Sequence, residues 1–464
     1  MLKKLPDTLI IVTSILVIFT VLTWIVPAGN FDRELVNGRE LVVPDSYHLA
    51  DQNPQGLMNF LMAPAHGFIS AAEIIAFVLI VGGAFSIVNK TGAIDSGLKK
   101  IIDLSLHNPR YKLPLMGLII ALFSIAGATF GMSEEVLVFV LITLPLAFSL
   151  GYDSIIGIAI PFVGAGAGFA GAFLNPFTVG IAQGIAELPP FSGWEYRMIV
   201  WFIFTSITII FILGYARRLE KNPEASPVFA IDRARDPDKM KVDREVSFDW
   251  RKKLILFAFL GSIILLVIGV NSWGWYINEI AGLFLGLGIL SALIAKMNSS
   301  ITTNAFIDGA RDMVYPAMII AHSKGILIIA SDGNIIDTVL FYLSGTVDDF
   351  HRGVSVEIMF LVQSLLNFFL PSGSGQAALT MPIMAPLSDL LQISRQTAVL
   401  AFQFGDGLSN LIIPTSGVTM GVLAVAKIPY EKWLKWIWPL MLILIFTAMV
   451  LLLLPVVLFN WGPF

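Results

Sequence analysis

The chain has 464 residues, 56% hydrophobic and only 13% charged, with a mean hydropathy of +0.81. A net charge of −4 is too small to mark a nucleic-acid partner, and the absence of cysteine excludes disulfides, thiolate metal sites and cysteine nucleophiles. Several apolar runs approach or exceed the roughly 20 residues that cross a bilayer, which predicts an all-α polytopic membrane protein.

The start, Met1-Leu2-Lys3-Lys4 ahead of an apolar run, resembles a signal peptide. The run is long, has no small-x-small cleavage site and is followed by further spans, so an uncleaved first helix over residues 9–26 is expected. A polar segment over 30–59 and a second span over 72–89 follow, Glu73 lying near the start of that span. Residues 94–112 have apolar side chains at helical spacing together with Lys99, Lys100, Arg110 and Lys112, the pattern of a helix lying in the interface. Residues 113–150 are apolar but interrupted at 127–135, so each arm is short for a crossing and suits a re-entrant hairpin.

The most unusual stretch is 164–184, rich in glycine and carrying Asn175-Pro176 inside a hydrophobic run. Proline removes a donor and pushes the preceding residue out of helical geometry. In a membrane such a break is tolerated only where it is buried in protein or lines a wet cavity, so a broken helix bordering a site is predicted. A turn at Leu188-Pro189-Pro190 and a span over 198–215 come next. Residues 217–253 hold eleven of the 29 Lys and Arg, and Pro223, Pro227 and Pro237 deny them a long helix; they read as a linker. Beyond it spans are predicted over 254–270, 280–295 and 313–330, then a second interrupted hairpin over 355–391, broken at 370–376. A second glycine-rich segment, 404–410, leads into Ile413-Pro414-Thr415-Ser416-Gly417, and the last span covers 436–458.

The lysines and arginines orient this map. Lys3/Lys4, the group at 90–112, the linker and Lys427/Lys432/Lys435 fall on one side, which the positive-inside rule makes cytoplasmic. The amino terminus is then inside, the carboxyl terminus outside, and the setting a bacterial-type inner membrane. Trp24, Trp194, Trp250, Trp273, Trp275, Trp433 and Trp436 lie near predicted span ends and are expected at the interfaces.

The halves echo each other at an offset of 240 to 241 residues: Met132-Ser133 falls on Gly373-Ser374, Pro145 on Pro386, Gly164 and Gly166 on Gly405 and Gly407, Leu188-Pro189 on Ile428-Pro429. The charge map places the second copy upside down. Inverted repeats with broken helices meeting at the midplane are the signature of secondary transporters. The expected division is a first repeat over 1–216 (scaffold 1–112, hairpin and broken helix 113–190) and a cytoplasmic linker over 217–253. The second repeat covers 254–464, with scaffold 254–353, hairpin and broken helix 354–428 and a last helix 433–460.

Gly166-x-Gly168-x-x-Gly171 matches a dinucleotide fingerprint in form, but the surrounding strand and soluble α/β unit are missing, so the match reads as coincidence. Asn175, Thr178, Asn410, Thr415 and Ser416 are short oxygen-bearing side chains beside the breaks, suited to a substrate or to a hard cation. The tips Ser133-Glu134-Glu135 and Ser372-Gly373-Ser374-Gly375-Gln376 are expected to meet them, and Asp406 is the other favoured acid. Sodium, if it is the coupling ion rather than a proton, is assigned to Ser133, Asn175, Ser374, Asn410 and Thr415. On a helix Glu134 and Glu135 would point about 100° apart, so one of them is expected to face the site. Glu73, Arg311, Asp312, His322 and Lys324 are further candidates, equally explained as scaffold salt bridges.

The segments Glu73-Ile-Ile-Ala and Asn89-Lys-Thr-Gly-Ala-Ile, the tip Gly131-Met-Ser-Glu-Glu, Asn175-Pro176, and the block Gly405-Asp-Gly-Leu-Ser-Asn with Ile413-Pro-Thr-Ser-Gly carry a resemblance. Over essentially its whole length the chain resembles the anaerobic four-carbon dicarboxylate carriers, and more closely their basic amino-acid antiporter branch, within the ion transporter superfamily. The resemblance implies a homodimer in which a scaffold holds a mobile transport domain of two hairpins and two broken helices, moving like an elevator. The chain departs from the family pattern at Lys324, where arginine is usual, and the second tip lacks acids. Acids in the expected core favour a basic amino acid as substrate; an anion moving with sodium or protons, as in a dicarboxylate carrier, is the alternative. A channel is a distant third, and neither a cofactor nor an enzyme nucleophile is expected.

Overall fold

The structure, a computed structural model, describes residues 8–36, 39–94, 96–97, 109–235, 249–345, 351–459 and 461–462. The first helix, α1 (Thr8–Ile25), carries no charged residue and stops just before Val26-Pro27. The polar segment after it folds into two short antiparallel ladders, β1 (Gly29–Asn30) with β4 (His48–Leu49) and β2 (Arg33–Val36) with β3 (Arg39–Val42). Arg33 ties this region to Asp337 at 2.9 Å, and Tyr47 stacks on Phe341 with ring centroids 4.0 Å apart.

A helix absent from the sequence reading, α2 (Leu57–Ser70), runs into α3 (Ala72–Lys90) through a bend at Ala71. The predicted interface helix over 94–112 falls largely outside the described residues, which resume at 109. Two helix pairs follow the predicted interruptions. The first is α4 (Lys112–Phe130) and α5 (Val136–Ser149), joined by a tip that starts at Gly131 with φ +71. That left-handed value suits glycine and turns the chain back at once.

The stretch singled out by Asn175-Pro176 is interrupted twice. After α6 (Ser154–Ile158) a π-helical turn (Ala159–Val163) leads to α7 (Gly164–Ala170). The chain then leaves helical geometry at 171–175, and a second π turn (Pro176–Gly180) leads to α8 (Ile181–Ile185). Close packing accounts for the glycines of the false dinucleotide motif: a methyl group would meet Leu411 at Gly166 and the Trp201 backbone at Gly171. At Gly168 it would collide with the Ser124 carbonyl, so α4 and α7 touch backbone to backbone.

The long helix α9 (Trp194–Lys221) extends beyond the predicted span at both ends, and at about 1.5 Å per residue it exceeds a hydrocarbon core of about 30 Å. Asn222 and Pro223 end it, and the linker begins with a 3-10 turn (Pro223–Ala225) and α10 (Phe229–Arg233). The start of the linker is thus folded and docked. Burial draws the Arg235 guanidinium below its ordinary pKa, opposed by the neighbouring Asp232 carboxylate.

In the second half, α11 (Trp250–Trp273) and α12 (Ile277–Ala295) precede α13 (Ser299–Asp312) and α14 (Val314–Asp332), another bent pair. The two bent pairs embrace reciprocally, α2 lying along α14 and α13 along α3. After α15 (Ile336–Ser344) comes the second helix pair, α16 (Arg352–Phe369) and α17 (Gly373–Leu390). The second interrupted helix is α18 (Arg395–Ser409), a non-helical stretch over 410–416, and α19 (Gly417–Val425). The last helix is α20 (Tyr430–Val457), 28 residues long like α9.

Local chemistry recurs with element order. Asp153 and Ser394 cap α6 and α18 by accepting from Ile156 N and Thr397 N, and both pairs stand 241 positions apart. Asn175 and Ser416, also 241 apart, cap the helical segments that follow the breaks. Among the described residues seven helices are long and apolar enough to cross a membrane.

Two tryptophans overturn their expected role. Trp433 is fully buried and donates to the Leu411 carbonyl at 3.0 Å, and Trp436 is buried beside it, with centroids 5.3 Å apart. The non-helical chain after α18 needs a donor for its freed carbonyl, and the indole N–H supplies it. Trp24, Trp194, Trp250 and Trp273 are exposed, as interfacial residues would be.

Candidate functional site

Both helix-pair tips and both breaks converge on one cavity of about 160 Å³. The first tip contributes Ser133, Glu134 and Glu135, and the second Ser372, Gly373 and Ser374. Thr178 comes from just after the first break, and Asn410, Thr415 and Ser416 from the second. The facing wall is made by Ser323 and Lys324 on α14 and by Trp275 and Tyr276 ahead of α12. Phe130, Phe169 and Phe177 supply apolar lining, and Phe177 meets Tyr276 across the cavity with centroids 5.3 Å apart.

The tip chemistry follows from the sequence. Glu134 and Glu135 sit in a turn, not in helix, because α5 begins only at Val136. The 100° argument therefore fails, and both acids line the cavity. Glu135, only 8% exposed, accepts from Ser133 N at 3.0 Å and so folds the tip on itself. At the second tip Ser372 caps α17 through Gly375 N. Gln376 there donates to Gln363 Oε1 at 2.7 Å and to its carbonyl at 2.8 Å, binding the two arms together.

Asn175 and Asp406 stand behind the cavity lining. Asn175 Oδ1 accepts from Phe177 N at 2.9 Å, and the side chain abuts Gly131 of the first tip. Asp406 is fully buried; its Oδ1 accepts from Asn410 Nδ2 at 2.8 Å, and its own carbonyl accepts from Asn367 Nδ2 at 3.1 Å. A methyl group on Gly373 would lie 2.8 Å from Asp406 Oδ2 and touch Thr178, so this carboxylate faces the second tip.

Among the described residues, four buried polar atoms on the sequence-predicted site residues have no hydrogen-bond partner: Asn175 Nδ2, Thr178 Oγ1, Asp406 Oδ2 and Thr415 Oγ1; Ser323 Oγ, Asn367 Oδ1 and Gln376 Oε1 nearby are unpaired as well. Each would cost about 1–3 kcal/mol if it stayed unpaired. Three of the four are oxygens, the donor type a hard cation takes. The five positions expected for sodium divide accordingly. Ser133, Ser374, Asn410 and Thr415 line the cavity, while Asn175 lies behind the first tip. No group of three or more His, Cys, Asp or Glu able to hold a metal occurs among the described residues.

Of the remaining sequence candidates only Lys324 reaches the cavity. Glu73 is exposed and accepts from Asn278 at 3.3 Å, Arg311 pairs with Asp308 on the surface, and Asp312 is exposed at the end of α13. His322 Nδ1 rests 2.7 Å from the Met318 carbonyl within its own helix. Sequence reasoning missed Ser323, Tyr276, Asn367 and Gln363, the partner of the tip residue Gln376. Amides inside an apolar helix were the available signal for Asn367 and Gln363; Ser323 and Tyr276 carried none.

Such a cavity offers charge, hydroxyls and aromatic walls. The class of protein, the secondary transporters, follows from its family. Residues 5–457 match the family model described as "DcuC: C4-dicarboxylate anaerobic carrier". The chain belongs to that family: it is a multi-pass membrane transporter of this type and not an enzyme.

Among its relatives is a protein of Escherichia coli (strain K12) named "Putative basic amino acid antiporter YfcC", 37% identical over 476 residues, covering 93% of this chain and 92% of that one. An uncharacterized protein of Haemophilus influenzae is 25% identical over 500 residues, covering 98% of this chain and 97% of its own. Among solved structures, the YdaH transporter of Alcanivorax borkumensis aligns with a TM-score of 0.44 at 15% identity, covering 99% of this chain and 100% of that one. MtrF of Neisseria gonorrhoeae, titled as one of a class of antimetabolite efflux pumps, gives 0.43 at 16% identity, covering 99% and 97%.

Proposed function

We propose that the chain exchanges a basic amino acid across the cytoplasmic membrane, with sodium or protons as the coupling ion. The observation that carries this is the charge of the cavity region: Glu134, Glu135 and the adjacent Asp406 against Lys324, the single cation among the described residues that line it. An amino acid with a cationic side chain answers both signs, its carboxylate meeting Lys324 and its cationic groups the glutamates. The name of the Escherichia coli relative points the same way.

In this reading the halves are inverted repeats and the two helix pairs are re-entrant hairpins entering from opposite faces. The hairpins, interrupted helices, α9 and α20 form one body, and the bent pairs with α1, α11 and α12 form the frame. Alternating access is an elevator-like slide of the body past Tyr276 and Lys324. The frame dimerises through an outer helical face, for which α12 is suited, since Gly282 and Gly286 leave open surface with nothing packed on them. The linker face is cytoplasmic and the carboxyl terminus outside.

The test is exchange in proteoliposomes loaded with arginine and supplied with labelled arginine or succinate, with and without sodium. Counterflow of arginine but not succinate is expected. A second reading, a sodium- or proton-coupled dicarboxylate carrier, is favoured by Lys324 and by the family's description. Uptake of succinate alone would replace the first reading with it.

A further inference from the structure

The two interrupted helices end alike and are secured differently. α8 closes on Ala186 and Glu187, and α19 on Ala426 and Lys427, 240 positions later; Glu187 and Lys427 both take positive φ, +57 and +51. A helix ending this way leaves carbonyls of partial negative charge to be satisfied. At the first end Arg395, the first residue of α18, donates to the Ala186 carbonyl at 3.0 Å and to Glu187 at 2.9 Å, and pairs with Asp389 at 2.7 Å. One guanidinium therefore joins α8, α18 and α17.

At the opposite end the matching position, 241 residues earlier, is Ser154, which has no cation to offer. The guanidinium comes from the linker instead. Arg235 donates to the Ala426 carbonyl at 2.6 Å and to the Lys427 carbonyl at 3.4 Å. It is also ion-paired to Asp232 at 2.9 Å, and Asp232 Oδ2 accepts from Ser154 N at 2.8 Å. A second stitch lies alongside, where Asp153 accepts from Ser226 Oγ at 2.6 Å and from the Tyr215 hydroxyl. Apart from Arg235–Asp232, which lies within the linker, each of these bonds from the linker runs to the interrupted helices, and Tyr215 of α9 joins them at Asp153. Among these bonds of the described residues none runs to the bent pairs.

We propose that residues 222–235 are a clamp built into the body that carries the site, with Arg235 as the positioning residue that stands in for the arginine the first repeat lacks. The linker welds the start of α6 to the end of α19 and so holds the two breaks, and the cavity between them, in register. Its activity arm rests on the transport reading above; its structural arm does not.

The absence of native cysteine makes the test direct. Arg235→Ala should raise amide exchange roughly ten-fold at residues 154–158 and 420–428, the effect of losing a charge-assisted bond, and leave residues 57–90 unchanged. Arg235→Lys, which keeps the charge but not the fork, should fall between and covers the case in which the alanine variant does not fold. In proteoliposomes Arg235→Cys/Lys427→Cys should exchange arginine slowly, and a flexible bismaleimide joining the two positions should restore it. Unchanged amide exchange in both Arg235 variants overturns the clamp. Transport silenced by the cross-link overturns it too, because the linker would then belong to the frame. Faster amide exchange in a protein whose wild type moves no amino acid upholds the clamp and removes the transport reading alone.

Discussion

Asp406→Asn separates the demands of binding from those of stability. The carboxylate is fully buried, keeps one bond to Asn410 at 2.8 Å, and leaves Oδ2 without a partner opposite Gly373 and Thr178. Asparagine retains the shape and the acceptor for Asn410 and removes the charge. Leaving a buried polar group unsatisfied costs about 1–3 kcal/mol, and more for a charged one. In sodium-free buffer the variant is therefore expected to be more stable than wild type by about 1–3 kcal/mol. A cation seated against Asp406 reverses this, because binding at about 100 times its dissociation constant adds about 2.7 kcal/mol to wild type alone. The assay is thermal unfolding of purified protein in N-methylglucamine and in sodium chloride, paired with arginine exchange. The variant should be the more stable in the first, gain nothing from the second, and transport nothing. A variant that is less stable without sodium, or that gains from sodium as much as wild type does, refutes the reasoning.

Glu134→Gln and Glu135→Gln should each abolish arginine exchange while the protein is still made and inserted, since each removes one counter-charge from the same cavity; wild-type exchange by both would remove the acids from the mechanism. Lys324→Ala should raise the KM for arginine at least several-fold and leave agmatine, which has no carboxylate, unaffected; an equal loss for both assigns Lys324 to the scaffold. Gly168→Ala forces its methyl group into the Ser124 carbonyl and should destabilise the fold by about 3 kcal/mol, read as a lower Tm in detergent.

Much of the site was legible along the chain because a backbone break inside an apolar run has few explanations. Asn175-Pro176, the Gly131 tip and the 410–417 block were each visible as such breaks, and the structure brings their neighbourhoods to one cavity. The pairing of Glu134 with Glu135 was misjudged because a helical geometry was applied to a turn. Trp433 and Trp436 were misplaced for a related reason: nearness to a span end says nothing of which face a ring occupies. Glu73, Arg311, Asp312 and His322 could not be told from Lys324, because charge in an apolar run records its own cost and not the direction in which it points.

Hydrophobic run length, prolines and glycines by themselves determined that this chain is helical, crosses a membrane and is interrupted at corresponding places in its two halves. Those are local consequences of the bilayer, which leaves no water to satisfy a free backbone group. Only the tertiary structure decided which polar groups share a cavity, that Asp406 lies against the second tip rather than open to the cavity, and that part of the charged linker is docked on the ends of both interrupted helices. These depend on contacts between residues far apart in sequence, such as Arg235 with Ala426 and Gly373 with Asp406. Neither composition nor periodicity records such a contact, because its energy exists only once both partners have been packed.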